Sequence, residues 1–295
     1  MKILKSLREA RGLSQEKLAK SLGVLVSQVE AWESGAEEPS SIHLRDLAII
    51  LGCGAEDLIR AYDEDNGPIS TNTYYVLTSR EEEDGFWGHF GVLLYGHLKS
   101  KWYPITLATA NYVSSVLKNV EHENEWMMVE TLNNRILLIN PASVSRLWLL
   151  DDAQDEPGKD WDISLDGYQG QPSEFYKAIE ELCYAEDTSG CSDIFIKFYE
   201  DFTSANDMGD EELASFVFDT HIHDRNGVRT SYRVSATNLA EIVDDFSFGG
   251  CPVIFDLSCD SFDSYFPSRS ISLLDMPRRQ IDEARKELSE QDETN

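Results

Sequence analysis

The stretch from Ser14 to Gly35, SQEKLAKSLGVLVSQVEAWESG, constrains the fold more than any other part of the chain. Ser14 suits the cap of a helix whose first turn holds Gln15, Glu16 and Lys17. Leu18, Ala19 and Leu22 give that helix an apolar stripe. Gly23 takes a positive φ without penalty, so the chain can turn sharply there. Val24 packs into the corner. A second short helix follows, with Val29 and Trp32 facing inward and Gly35 at its end. Two short helices joined by a tight glycine turn make a helix-turn-helix.

The pattern resembles the Cro/repressor (Xre-type) helix-turn-helix family from Met1 to Ile59. The shared residues are Ser14-Gln15, Leu18-Ala19, Leu22-Gly23-Val24, Val29, Trp32 to Gly35, Pro39, and a LxxLAxxLG pattern from Leu44 to Gly52. The resemblance implies five helices ending near Ile59, with no strand between residues 14 and 58. It also implies double-stranded DNA as partner, with the second helix of the motif in the major groove. The matching positions are Val26, Ser27, Gln28 and Ala31, together with Gln15 at the start of the preceding helix. Gln28 suits a bidentate contact to adenine, and Val26 and Ala31 suit thymine methyl groups. Backbone N–H groups at the two helix N-termini suit phosphate oxygens. The chain departs from the family at Leu25, where Ser or Thr usually caps the recognition helix, and at Ala31, where relatives carry a longer polar residue. Glu37 and Glu38 stand where relatives carry Lys or Arg, and these acids repel DNA.

Charge narrows which part of the chain can meet DNA. The formal net charge is −29. Residues 1–60 hold eight Lys/Arg against nine Asp/Glu, a balance of −1, so the remainder carries −28. A nucleic-acid surface therefore belongs to the N-terminal domain, working as a homodimer. Five cysteines, at 53, 183, 191, 251 and 259, form no CxxC pair and read as reduced thiols. Residues 1–12 lack the apolar core of a secretory signal, and no run of about 18 apolar residues suggests a membrane span. A cytoplasmic location is expected.

The domain reading is 1–61 for the helix-turn-helix, 62–73 for a polar linker with Asn66-Gly67-Pro68, 74–160 for a first α+β unit, and 161–295 for a second with a C-terminal helix. Tyr74 to Ser79 reads as a strand, followed by an acidic turn at Glu81 to Asp84. Phe86 to Tyr103, rich in aromatics and glycines, reads as strands over a core. ITLATANYVSSVL from Ile105 resembles YRVSATNLAEIVD from Tyr232, with Asn111 on Asn238. Leu-Leu-Asp at 149–151 then meets Leu-Leu-Asp at 273–275. This predicts a tandem duplication of one α+β unit, mostly antiparallel sheet, with strand, helix, strand, a Pro-containing turn and a final buried strand in each copy. Asn133-Asn134 and Asn226-Gly227 read as hairpin turns, the second joining Phe216–His223 to Val228–Val234. Two similar units are expected around a pseudo-twofold, with a groove between them as the place for a small ligand or a protein partner. A helix is expected from Ser173 to Tyr184, and the tail from Pro277 reads as a charged helix that docks weakly.

The fold class is thus α+β, and the function expected is transcription regulation, with an acidic C-terminal region that oligomerises or senses. The alternative is a protein-interaction or inhibitor module, antitoxin-like or phage-encoded, whose helix-turn-helix only autoregulates or is vestigial. No catalytic residues, metal ligands or cofactors are assigned. His221-x-His223 has a metal-motif spacing but no histidine beyond it, and it reads as the solvated face of a hairpin. Asp160-x-Asp162-x-Ser164-x-Asp166 lacks the glycine and closing Glu of a calcium loop. HExxH, P-loop and GxGxxG patterns, an Ala-Gly cleavage site and a Ser–Lys pair are missing from the sequence.

Overall fold

The computed structural model describes residues 2–59, 85–119, 125–153, 170–185 and 191–293. The expected linker, the strand at Tyr74 to Ser79, the acidic turn at 81–84 and the calcium-like run at 160–166 lie outside these residues. In chain order the helices α1 (Lys2–Ala10), α2 (Gln15–Leu22), α3 (Val26–Ser34), α4 (Ser41–Leu51) and α5 (Ala55–Ile59) come first. They are followed by β1 (Phe86–Leu93), β2 (Lys101–Thr106), α6 (Leu107–Asn119), β3 (Met127–Glu130), β4 (Arg135–Ile139) and β5 (Arg146–Asp151). Three helices intervene: α7 (Ser173–Ala185), α8 (Asp193–Ala205) and α9 (Asp210–Phe218). The described chain closes with β6 (Thr220–Asp224), β7 (Arg229–Tyr232), α10 (Ala236–Ser247), β8 (Ile254–Asp256), β9 (Tyr265–Pro267), β10 (Ile271–Pro277) and α11 (Arg278–Glu293).

Two compact units result, 1–86 with 170–209, and 87–169 with 210–295. In the first, helices α1 to α5 close around Leu4, Leu18, Val29, Trp32, Leu47, Leu51 and Leu58, all buried. Gly23 and Gly35 end their helices at φ 66° and 78°, the left-handed conformation that a side chain disfavours. No strand occurs within residues 14–58. Helices α7 and α8 belong to this unit, although their sequence position suggested the second α+β unit. Phe175, Phe195 and Phe202 hold the pair together, with ring centroids 5.2 to 5.9 Å apart. Polar bonds tie it to α4: Arg45 Nη2 lies 2.5 Å from Glu181 Oε2, and the Ser192 hydroxyl donates to Asp46 at 2.6 Å. Burial raises the Asp46 carboxyl, opposed by that hydroxyl.

The second unit carries the repeat. Strand, helix, two short strands, a single 3-10 turn and a final strand run from β2 to β5 and again from β7 to β10. The strand orders correspond, β2-β1-β5 in one copy and β7-β6-β10 in the other. The hairpins β3–β4 and β8–β9 also correspond, but they are used differently. The β3–β4 hairpin joins the second copy, giving a five-stranded sheet β3-β4-β10-β6-β7. β8 and β9 pair only with each other among the described residues. The turn after β1 meets the equivalent turn after β6: a Cβ on Gly227 would stand 2.7 Å from the Tyr95 carbonyl, and the His97 ring donates Nε2–H to the Gly227 carbonyl at 3.1 Å.

β10 lies at the centre of the large sheet and divides its core. Leu273 faces Phe90, Val92, Ile105, Val129 and Leu137. Leu274 and Met276 face α10, α11, Phe255 and Leu257. A register shift between Ile271 and Leu273 puts Ile271 on the latter side. Asp275 points with Leu273 and meets Arg135. The Arg135 guanidinium donates to Asp275 Oδ1 at 2.5 Å, to the Asp275 carbonyl at 2.6 Å, and to the carbonyls of Phe216 and Asp219 at 2.7 and 2.9 Å. Tyr103 donates its hydroxyl to Asp275 Oδ2 at 2.9 Å. Burial works to raise the Asp275 carboxyl, but the charges of Arg135 and Lys101 and the hydrogen bond from Arg135 hold it well below the usual carboxylate range.

Several expectations are corrected. Of the two Leu-Leu-Asp strands only the second is buried; Leu149 and Leu150 are half-buried because β5 is flanked by β1 alone among the described residues. Phe216 to Phe218 are helical, as the end of α9, so the β6–β7 hairpin is shorter than expected. The C-terminal helix docks firmly, with Ile281 and Ala284 buried against α10. His221 and His223 are buried at 6 and 0 % exposure. The pleat of β6 puts Ile222 into one core layer and turns both histidines to the other face, which is covered as well.

Removing the carboxylate leaves Arg135 buried without its counter-charge, so Asp275→Ala is expected to cost about 3–5 kcal/mol in urea unfolding. The double replacement Arg135→Met with Asp275→Leu should cost clearly less than Asp275→Ala alone. Equal losses would mean that the pair contributes only packing.

Candidate nucleic-acid interface

The order of residues in α2 and α3 sets the geometry of the motif. Ser14 accepts the Lys17 N–H at 3.2 Å, which starts α2. The Val24 N–H donates to the Ala19 carbonyl at 3.0 Å across the turn. Leu25 then occupies the cap position of α3 with no oxygen to offer. Gln28 supplies half of a cap instead, its Oε1 accepting the Leu25 N–H at 3.1 Å. A residue expected to read a base thus has a second task. A bidentate contact to adenine uses both the oxygen and the amino group of Gln28, so reading requires the side chain to leave the cap.

The second polar feature is a buried ion pair beneath the two helices. Arg8 on α1 donates Nε to Glu33 Oε1 at 2.5 Å and Nη2 to Oε2 at 3.2 Å. Its Nη1 donates to the Leu13 carbonyl at 2.7 Å. Gln15 donates its amide to Glu33 Oε2 at 2.7 Å. Burial works to raise the Glu33 carboxyl, yet the hydrogen bonds from Arg8 and Gln15 outweigh it and hold the group below the ordinary carboxylate range. The Glu33 hydrogen bond in turn raises Arg8, against its own burial. Arg8 therefore links α1, the α1–α2 loop and α3. Gln15 is held at the start of α2 with its carbonyl oxygen still available.

The five residues expected to meet DNA are all placed on α2 and α3. Ser27 is exposed, while Gln15, Gln28 and Ala31 are half-buried. Val26 is half-buried because it packs on the helical core, so part of its apolar surface serves the fold rather than a partner. Glu30, Ser34, Glu37 and Glu38 are exposed, as are Lys17 and Lys20. Sequence reasoning named these positions on the two motif helices but missed the Arg8–Glu33–Gln15 network. The charges were visible at positions 8 and 33; their approach depends on how α1 packs against α3.

Residues 4–58 match the helix-turn-helix family model, in agreement with the geometry of α1 to α5. No curated protein and no solved structure matches the chain. Among the described residues no helix is long and apolar enough to cross a membrane.

Gln28→Ala removes the half-cap together with the side chain expected to read a base. The expected loss is about 1–3 kcal/mol of affinity at a specific site and little on random DNA. Fluorescence anisotropy with both DNAs checks this. Equal losses on the two would leave Gln28 as a cap only.

Proposed function

We propose that the chain is a sequence-specific DNA-binding transcription regulator of the Xre type, acting as a homodimer. The observation that carries this reading is the helix-turn-helix at residues 4–58, with Gln15, Ser27, Gln28 and Ala31 on its two motif helices. In the proposed complex α3 lies in the major groove, with Gln28 and Gln15 reading base edges, Val26 and Ala31 touching methyl groups, and Ser27 free for base or phosphate. A helix of nine residues spans few base pairs, so a regulator of this size uses two copies on a two-fold site. The acidic second unit repels DNA and supplies oligomerisation or sensing.

The exposed surface of the second unit supports a dimer. Phe248, Val253 and Tyr265 are 91, 81 and 61 % exposed around the β8–β9 hairpin. The equivalent β3–β4 hairpin is covered by a sheet partner, β10, whereas β8–β9 has none among the described residues. A second copy of the chain is the occupant this reading assigns to that hairpin. Val253→Asp is expected to shift the chain toward monomer in light scattering and to weaken operator binding. An unchanged mass would remove the hairpin from the dimer reading.

Glu37 and Glu38, both exposed in the loop after α3, favour the second reading, a protein-interaction module. The deciding experiment is binding to the DNA upstream of its own gene at several salt concentrations. A specific complex whose affinity falls steeply with salt is expected. Glu37→Lys with Glu38→Lys should tighten binding to any DNA and steepen that dependence. Absence of binding by both proteins at low salt would favour the interaction module.

A further inference from the structure

The pleat of the large sheet gathers polar side chains at one end of its inner face. His221 and His223 on β6 pair across the strand gap with Ser231 and Arg229 on β7, so all four share that face. On the other side of β6, Asp275 and Leu273 of β10 stand opposite His221 and His223. β2 runs over this face with Tyr103, whose hydroxyl reaches Asp275; Lys101, two residues earlier, projects to the same side. His97, in the turn between β1 and β2, packs its ring edge-on to His223 with centroids 6.1 Å apart. The apolar layer around Leu137, Ile139 and Leu273 thus passes into a cluster of three histidines, Lys101 and Arg229, in a chain of net charge −29. Among the described residues, the carboxylate of Asp275 faces this cluster and is engaged by Arg135 and Tyr103.

Among the described residues His223 has no hydrogen-bond partner on either ring nitrogen, and its ring is fully buried. An imidazole placed so is costly unless something else completes it. His221 is neutral by geometry: Arg229 Nη2, which can only donate, lies 3.0 Å from its Nδ1. For His223 burial is the main cause that pushes its pKa down to about 3; Lys101, Arg229 and His97 push the same way, and Asp275 opposes them. Burial likewise brings His221 to about 3, with Asp275 opposing and Arg135, Arg229 and Lys101 adding to it. At the rim, Arg229 and Ser231 are exposed and His97 and Lys101 half-buried, so Arg229 can swing outward at the cost of its bonds to Ser231 and His221.

We propose that this end of the second unit is a binding site for a small oxyanion, the phosphate or carboxylate group of a metabolite. The anion sits among Lys101, Arg229 and His97 at the rim, and His223 donates to it from below. An anion in contact with His223 favours the protonated imidazole, so binding takes up a proton. The sign follows from linkage. Without the anion, the folded state holds both histidines neutral down to about pH 3, while the unfolded chain takes up protons below its ordinary histidine value near 6.5. These two groups therefore make the empty protein less stable as pH falls from about 7 toward 3. A bound anion opposes that loss. The proposal gives the sensing reading of the second unit a ligand class. It does not depend on DNA contacts in residues 4–58, so the two can fail separately.

The test uses the full chain and inorganic sulfate, whose charge does not change between pH 5.5 and 8, with phosphate and acetate as further arms and chloride at matched ionic strength as control. Histidine side-chain NMR should show saturable shifts of His223 and His97 on addition of sulfate. The affinity should rise as pH falls, by up to about tenfold per pH unit. Saturation by phosphate and sulfate but not acetate would assign the site to phosphate groups; saturation by acetate would assign it to carboxylates. His223→Ala should abolish the saturable shift of His97. If that variant fails to fold, Arg229→Ala, at an exposed position, should weaken sulfate binding at least severalfold while the protein stays folded. The proposal is overturned if no anion shifts His223 beyond the chloride control, or if binding is the same at both ends of the pH range. Sulfate binding that survives Arg229→Ala and Lys101→Ala unchanged would overturn it too.

Discussion

One buried charge pair, Arg135 with Asp275, holds the second unit in its observed arrangement. The two residues are 140 positions apart and come from different copies of the repeat. A guanidinium in a buried site is tolerable only when its donors are met. Here they reach a carboxylate, the carbonyl of the same residue, and the two carbonyls where α9 gives way to β6. The same group therefore joins β4 to β10 and sets where β6 begins. Tyr103 brings β2 to the free carboxylate oxygen. Hydrophobic burial supplies the driving force around it, but apolar layers alone leave the register of five strands open to slippage. The ion pair has one register in which its bonds are satisfied.

The first unit repeats this device on a smaller scale. Arg8 and Glu33 join α1 to α3 beneath the motif, and Gln15 is oriented by the same carboxylate. Affinity for a base edge depends on how little side-chain freedom is lost on contact. Gln15 is already held, whereas Gln28 must exchange one bond for others. The two residues thus differ in what a base contact demands of each. The α7–α8 hairpin, tied to α4 by Ser192 and Glu181, extends the helical core beyond the motif itself.

What could be read from the residues alone is what short-range chemistry determines. Ser14, Gly23 and Gly35 act on their own turns, so the limits of α2 and α3 were legible, while the count of five helices came with the family resemblance; the recurrence of strand, helix and strands at Asn111 and Asn238 was legible too. Long-range partners were not. Nothing local to Asp275 tells that Arg135 faces it, and nothing local to Ser192 tells that its hydroxyl meets Asp46. The alternation Thr220 to Asp224 correctly put His221 and His223 on one face. Whether water or protein covers that face depends on β2, more than 100 residues earlier. Helix α8 carried a signal that was available, Ser192 as cap before Asp193 and Phe195, with Tyr199 and Phe202 one and two turns on.

The crossing of the β3–β4 hairpin onto β10 has a consequence for how the chain acquires its structure during synthesis. Residues 2–59 can close their core as soon as they emerge, since its buried residues all lie within that span, and α7 and α8 add to it later. The large sheet cannot. β4 emerges with an open edge, and the strand that fills it is made after every other described strand. Until then β4, rich in apolar side chains, and β6 each present an edge of unpaired backbone to the surroundings. Strands left in that condition are templates for pairing with other chains. High negative charge on the nascent chain keeps such copies apart during that interval, which gives the acidity of this region a use that is independent of any DNA, ligand or partner.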